Sequence, residues 1–256
     1  MSNRAPSGTR TDTALIEVNR RFYDALWTDA RLIEAERFNT WPLVRSLVAA
    51  APRRLEVAPG LRLHLPIDGT HFIDLSGPAL MHLRSRGATV ARGCITALPF
   101  ADGAFDLVSA LDIIEHVDDD DLALAELTRV AAPGGVLVLS TPLHPSRWTA
   151  FDEFVGHRRR YEPERLRAKL AARGLIVEQS AVYGMQPRSP VPLALGMWFL
   201  TRRRAQAMWW YNVILPFAVR FQKRLALRAG MINAENVDEV LLVCRKTSVA
   251  AAPGTQ

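Results

Sequence analysis

The chain reads as a doubly wound α/β fold around a seven-stranded, mostly parallel sheet, with helices ahead of it and a helical insertion before its last strand. Three observations carry this reading. From Pro52 onward, short apolar runs alternate with stretches of helical periodicity, which is the pattern of βαβ units. Acids at 118–121 stand ahead of Leu122, Leu124 and Leu127, where the dipole of a helix start favours them. Ala132-Pro133-Gly134-Gly135 then ends that helix and turns the chain into a strand.

The elements follow in order. Residues 1–11 are small, polar and basic with no apolar run behind them, so they read as a disordered tail rather than a secretory signal. Residues 250–256 read the same way. Residues 12–51 form a helical cover: Leu15, Val18, Phe22, Leu26 and Trp27 recur at helical spacing, and Leu43, Val44, Leu47 and Val48 repeat it. Trp41-Pro42 opens the second of these helices, since proline suits a first turn. Strands are expected at Leu55–Ala58, His71–Leu75, Thr89–Ala91, Asp106–Ala110, Val136–Ser140, Leu175–Tyr183 and Glu239–Arg245. Helices are expected at Gly77–Arg86, Asp118–Ala132 and Pro163–Arg173. The core then comprises 52–183 and 239–246, and 184–238 is a hydrophobic helical insertion.

Composition narrows the function classes. The 256 residues suffice for one large α/β domain and are short for two. Apolar residues make up 49% and charged residues 23%, an ordinary soluble balance. Two cysteines, Cys94 and Cys244, give no disulfide framework, and the six histidines are scattered without a ligand cluster. The expectation is a reducing, cytoplasmic setting and no metal. The net charge is +6. Its arginines are dispersed rather than interleaved with aromatics in one stripe, so no nucleic-acid partner is expected. An anionic ligand or a membrane face accounts for the charge equally well.

In an open α/β sheet, ligands bind at the carboxyl ends of the strands. Glu56 and Gly60 fall at the end of the first strand and Asp74 at the end of the second. Glycine lets backbone approach a ligand closely, and a carboxylate at Asp74 can accept both hydroxyls of a ribose. Alone, these residues also describe an ordinary strand-to-loop turn. A nicotinamide enzyme would need a glycine-rich pyrophosphate turn on a helix start, which Pro59–Pro66 does not supply.

The stretch Ala97-Leu98-Pro99-Phe100-Ala101-Asp102-Gly103-Ala104-Phe105-Asp106 is followed by Glu115-His116 and by Arg129-Val130-Ala131-Ala132-Pro133-Gly134-Gly135. Here the sequence resembles the class I S-adenosylmethionine-dependent methyltransferases, in particular their type 11-like subgroup, over roughly residues 52–183. The resemblance implies S-adenosylmethionine as cofactor. It implies that Glu56 orders the loop around the methionine portion, with Ala58 and Gly60 in the same motif. Asp74 would bind the ribose, with Leu75 beside the adenine. Cys94 and Ile95 would meet the adenine edge, and Ala110 and Leu111 the methionine part. The chain departs from the pattern at Ala58, where the family has glycine, and at Cys94, where it often has aspartate. Only 18 positions separate Glu56 from Asp74, so the helix after the first strand is short or absent.

Methyl transfer needs a held nucleophile and a dry site. A hydroxyl acceptor also needs a base. His157, in Gly156-His157-Arg158-Arg159-Arg160-Tyr161, and His116 are the candidates, with His157 preferred over His144; for His116, packing and helix capping account for the residue equally. The adjoining arginines either clamp an anionic acceptor or pair with nearby aspartates. The insertion is apolar and aromatic, with arginines at 202–204. It reads as helices packed on the core, a lid over a hydrophobic acceptor, peripheral membrane contact through 190–221, or a homodimer face. The function expected is methylation of a small, apolar or aromatic acceptor on oxygen or nitrogen; the alternative is a catalytically degenerate scaffold on the same fold.

Overall fold

In the computed structural model, which describes residues 23–184, 195–199 and 202–248, the apolar runs assemble into one eight-stranded sheet. Its strands are β1 (Arg54–Val57), β2 (Thr70–Asp74), β3 (Thr89–Arg92), β4 (Phe105–Leu111), β5 (Ala131–Pro142), β6 (Leu175–Val182), β7 (Arg228–Ala229) and β8 (Glu239–Lys246). They lie in the order β3-β2-β1-β4-β5-β8-β6-β7. β1 to β5 pair in parallel, while β8 runs antiparallel between β5 and β6. The expected count of seven is one short: Arg228 and Ala229 pair with Ser180 and Gln179 at the outer edge. Two residues are too few to show a periodicity.

Helices cover both faces, as a parallel sheet requires. They are α1 (Trp41–Ala49), α2 (Gly77–Ser85), α3 (Asp120–Val130), α4 (Ala150–Val155), α5 (Pro163–Ala171) and α6 (Arg204–Ala218). On one face, Leu55, Ile73, Val108 and Leu137 pack against Leu124 and Leu127 of α3 and Leu166 and Leu170 of α5. On the other, Leu107, Val138 and Leu241 meet Leu43 and Val44 of α1. Full burial of one such leucine contributes about 2 kcal/mol. The starts of α2 and α3 are capped: Ser76 accepts from the Ala79 N–H and Asp119 from the Leu122 N–H, which satisfies donors the helix itself leaves open.

Several boundaries differ from expectation for physical reasons. Helix α3 gives way to strand at Ala131, so Pro133-Gly134-Gly135 lies inside β5 rather than in a turn before it. The register against β4 shifts there, between Phe105 and Leu107, and Gly134 takes φ 73, the left-handed conformation of a glycine bulge. The N-terminal cover is less helical than expected. Residues 23–29 are helical, 30–40 are largely irregular around a single turn at Ala35–Arg37, and α1 follows with Pro42 in its first turn; positions 12–22 lie outside the described residues. The insertion is likewise mixed, with α6 followed by irregular chain and β7.

Between β1 and β2 the chain makes no helix. Leu61, Leu63 and Leu65 are instead buried from an irregular segment. A helix would satisfy its own N–H groups; here the Glu56 carboxylate accepts from the His64 and Leu65 N–H groups, each at 2.8 Å. The Arg54 guanidinium pins the far end of the segment through the Ala51 and Asp68 carbonyls.

Candidate functional site

The carboxyl ends of β1 to β4 open onto a cavity of about 600 Å³. Of the residues singled out in the sequence, Glu56, Ala58, Gly60, Asp74, Leu75, Cys94, Ile95, Leu111, His116 and His157 line it. Ala110 does not. It is fully buried within β4, one residue short of the strand end, and Leu111 and Asp112 reach the cavity in its place. His144 is also away from the cavity wall, with its Nε2 2.7 Å from the Ala234 carbonyl.

The first wall is held by backbone. Asp74 accepts from the Gly60 N–H at 3.0 Å through one oxygen and from the Ser76 N–H at 2.8 Å through the other. Burial pushes its carboxyl up and these N–H donors pull it back. The Leu75 N–H is a third backbone donor to this carboxylate, which leaves it acceptor capacity for a ligand on one side. Gly60 has φ 54, and a Cβ there would stand 2.3 Å from the Trp27 ring. Ala58, where the resembled family has glycine, also sits in the left-handed region at φ 54, which costs an alanine about 1–2 kcal/mol. Burial raises the Glu56 carboxyl to about 8 against its two N–H donors.

The second wall is acidic and less satisfied. Asp112 follows β4 with φ 50 and takes a short hydrogen bond from the Ser140 hydroxyl. Glu115 is fully buried; one oxygen accepts from Thr141 at 3.3 Å and the other has no hydrogen-bond partner. Glu239, at the start of β8, likewise leaves one oxygen without a partner. Burial, with the Asp112 charge beside them, holds both glutamates well above the usual carboxylate range. Arg62 is the guanidinium that lines this cavity.

His157 completes the site. The chain leaves α4 through Gly156 in the left-handed conformation and places the His157 Nδ1 2.8 Å from Asp152 Oδ1. Asp152 is a pure acceptor, so Nδ1 carries the proton and Nε2 is left basic. That Nε2 lies 3.9 Å from Glu115. The Asp152 carboxylate also accepts from Thr149 and, through both oxygens, from Arg160. Burial alone would raise it; these bonds outweigh burial and hold it well below its usual value. The His116 ring stands edge-on to His157 at 4.7 Å, and burial and the His157 neighbour lower it to about 3. Glu115, His116 and His157 each offer one ligand-type atom within 4.8 Å of one another, close enough to share a cation, which contrasts with the scattered histidines of the sequence. Arginines 158–160 pair with aspartates: Arg158 with Asp118, Arg159 with Asp120 and Arg160 with Asp152.

Asp112, Glu115 and Glu239 were not singled out in advance as site residues. Glu115 had a signal, as the partner of His116 in its motif. Asp112 and Glu239 come from strand ends more than a hundred positions apart, which no local pattern joins.

Residues 67–139 match the family described as a methyltransferase domain. A stretch of 71 residues, 27% of this chain, is 44% identical to ubiquinone biosynthesis O-methyltransferase of Methylococcus capsulatus, of whose length it spans 30%. Another of 54 residues, 21% of the chain, is 46% identical to demethylmenaquinone methyltransferase of Renibacterium salmoninarum and spans 23% of it. The chain thus spans less than a third of the length of these two relatives. Among solved structures, an S-adenosylmethionine-dependent methyltransferase of Thermotoga maritima, titled a possible histamine N-methyltransferase, superposes with a TM-score of 0.52 at 17% identity, over 93% of this chain and 96% of that one. That likeness shows the fold.

Proposed function

We propose that this chain, whose sheet is that of the class I S-adenosylmethionine-dependent methyltransferases and whose residues 67–139 belong to the methyltransferase domain family, methylates a hydroxyl on a small, largely apolar aromatic acceptor. The core we assign to the cofactor runs over 52–183 and 239–246. The observation that carries the reading is the sign of the cavity. Glu56, Asp74, Asp112, Glu115 and Glu239 all line it. Burial holds the three glutamates protonated near neutral pH; a sulfonium draws them into the carboxylate form, which the pyrophosphate of a nicotinamide dinucleotide would not do. Asp74, a buried carboxylate at the end of β2 that lines the cavity, suits a ribose hydroxyl. Gly60 and Gly93 keep the wall open: a Cβ at Gly93 would stand 2.7 Å from Ile73.

When bound, S-adenosylmethionine supplies an activated methyl group. The chain's own part is to bind, orient and deprotonate. Tyr23, Trp27, Phe38, Phe151 and Tyr183 give the cavity an aromatic lining that suits an apolar acceptor and excludes water. His157 takes the hydroxyl proton at Nε2, and Asp152 holds the ring in that tautomer. The resulting imidazolium is stabilised by the Asp152 carboxylate, which burial fails to protonate. Two relatives are named for quinone biosynthesis, which supports a phenolic acceptor.

Calorimetry with S-adenosylmethionine tests the first half. The natural chain binds and Asp74→Ala binds about tenfold to a hundredfold more weakly, the loss of one or two charged hydrogen bonds. A folded natural chain that does not bind would make the protein a scaffold. With a catechol as acceptor, His157→Gln should lower kcat by about 10²–10⁴-fold with cofactor affinity unchanged. Activity that EDTA abolishes would assign Glu115, His116 and His157 to a cation instead of a base.

A further inference from the structure

We infer that α6 is a membrane-docking helix, which seats the protein on an anionic lipid surface with its apolar face in the interface. Trp209, Trp210, Val213, Ile214, Phe217 and Phe221 are 41–72% exposed. At about 100° per residue the five that lie in α6 fall within an arc of roughly 140° on one side of the helix, and Phe221 ends the single 3-10 turn that follows it. Soluble proteins do not leave so continuous an apolar face in water without an occupant.

The face is not the wrong side of a loosely placed helix. The opposite side is fixed: Met208 packs with Trp27, Ala30 and Leu61, and Val219 with Ile33 and Phe38. The Asn212 side chain donates to the Asp29 carbonyl and accepts from the Arg31 N–H, both at 2.7 Å.

Charge selects the occupant. From 185 to 234 the sequence contains no aspartate or glutamate and eight arginines or lysines. Arg202 and Arg203 stand exposed before the helix, and Arg220, Lys223, Arg224 and Arg228 beyond it. Tryptophans and phenylalanines on one face with cations at both ends match the headgroup layer of an anionic bilayer. A second copy of this chain would bring the same cations against each other. No helix among the described residues is long and apolar enough to cross a membrane, so the helix lies in the surface plane. Trp27 and Phe38, on which α6 rests, also line the cavity. Resting on the proposed methyltransferase reading, this arrangement makes the acceptor a molecule dissolved in the bilayer. The docking itself does not depend on that reading.

Sedimentation with phosphatidylcholine vesicles, with and without phosphatidylglycerol, tests the docking without any assay of activity. The full chain should pellet with the anionic vesicles, and brominated lipids should quench its tryptophan fluorescence. High salt should weaken binding. Trp210→Ser with Phe217→Ser, and separately Arg220→Glu with Arg224→Glu, should each lower the vesicle partition by on the order of tenfold or more, with S-adenosylmethionine affinity and circular dichroism unchanged. The inference is overturned if the natural chain stays in the supernatant, if the variants pellet as well as it does, or if size exclusion shows a dimer that the Trp210 and Phe217 substitutions dissociate while vesicles bind neither form. Vesicle binding by a chain that binds no cofactor would keep the docking and sink the methyltransferase reading.

Discussion

The two halves of the cavity hold their carboxylates in opposite ways. Glu56 and Asp74 use theirs on backbone N–H groups, so the cofactor half is formed before any ligand arrives. Asp112, Glu115 and Glu239 face one another, with an oxygen of each glutamate left without a partner. That half is complete only when a cation enters. A preformed wall gives shape and a frustrated wall gives affinity for charge.

The difference can be broken most forcefully at Asp152. Asp152→Ala leaves the Arg160 guanidinium, 4% exposed, without its partner. Thermal and urea unfolding should show a loss of about 3–5 kcal/mol, while S-adenosylmethionine affinity of the remaining folded protein stays within about threefold. A comparable loss of cofactor affinity would show that the halves are coupled.

Proton linkage sharpens the comparison. The buried glutamates have folded values above their unfolded ones, with Glu56 raised to about 8 and Glu115 and Glu239 raised further by Asp112. A raised carboxyl favours folding fully below its unfolded value. The ligand-free protein should therefore lose stability as pH rises from about 4.5 to about 8, by on the order of a few kcal/mol. A bound sulfonium favours the ionised acids, so cofactor binding should release protons and tighten as pH rises over the same range. Calorimetry in buffers of different ionisation enthalpy measures this directly; Glu115→Gln should reduce the release. Proton uptake would contradict the cationic assignment.

The smallest effect belongs to the cofactor half. Ala58→Gly removes about 1–2 kcal/mol of left-handed strain and adds about 0.5–1 kcal/mol of unfolded-state entropy. The melting temperature should hold or rise slightly, whereas glycine at Ala79 in α2 should lower it.

The cofactor half was legible because its signals are local. An acid, a glycine and a second acid at successive strand ends stand within twenty positions, and the short interval between Glu56 and Asp74 announced the missing helix. The acceptor half was half legible. The motif around Glu115 and His116, and the one around His157, pointed to loops that line the cavity. Only the fold shows that Asp152, five residues before His157, orients it, and that Glu239 crosses from the last strand to meet Asp112. The arginines at 158–160 had two readings in sequence, and the fold decides between them by setting each against an aspartate. The described part of the 184–238 segment has an apolar helix face that turns outward, and periodicity reports an apolar face without saying what covers it.

The place of β8 orders the birth of the molecule. It forms seven residue pairs with β5 on one side and seven with β6 on the other, yet it is made after both. Without β8, β5 and β6 are not neighbours, and the edge of each that β8 pairs is left open. Pairing must wait for Glu239–Lys246, so the middle of the sheet is closed by long-range contacts made after both its neighbours. A chain cut short of Glu239 would carry two unpaired strand edges in the middle of its sheet, the kind of edge that invites aggregation.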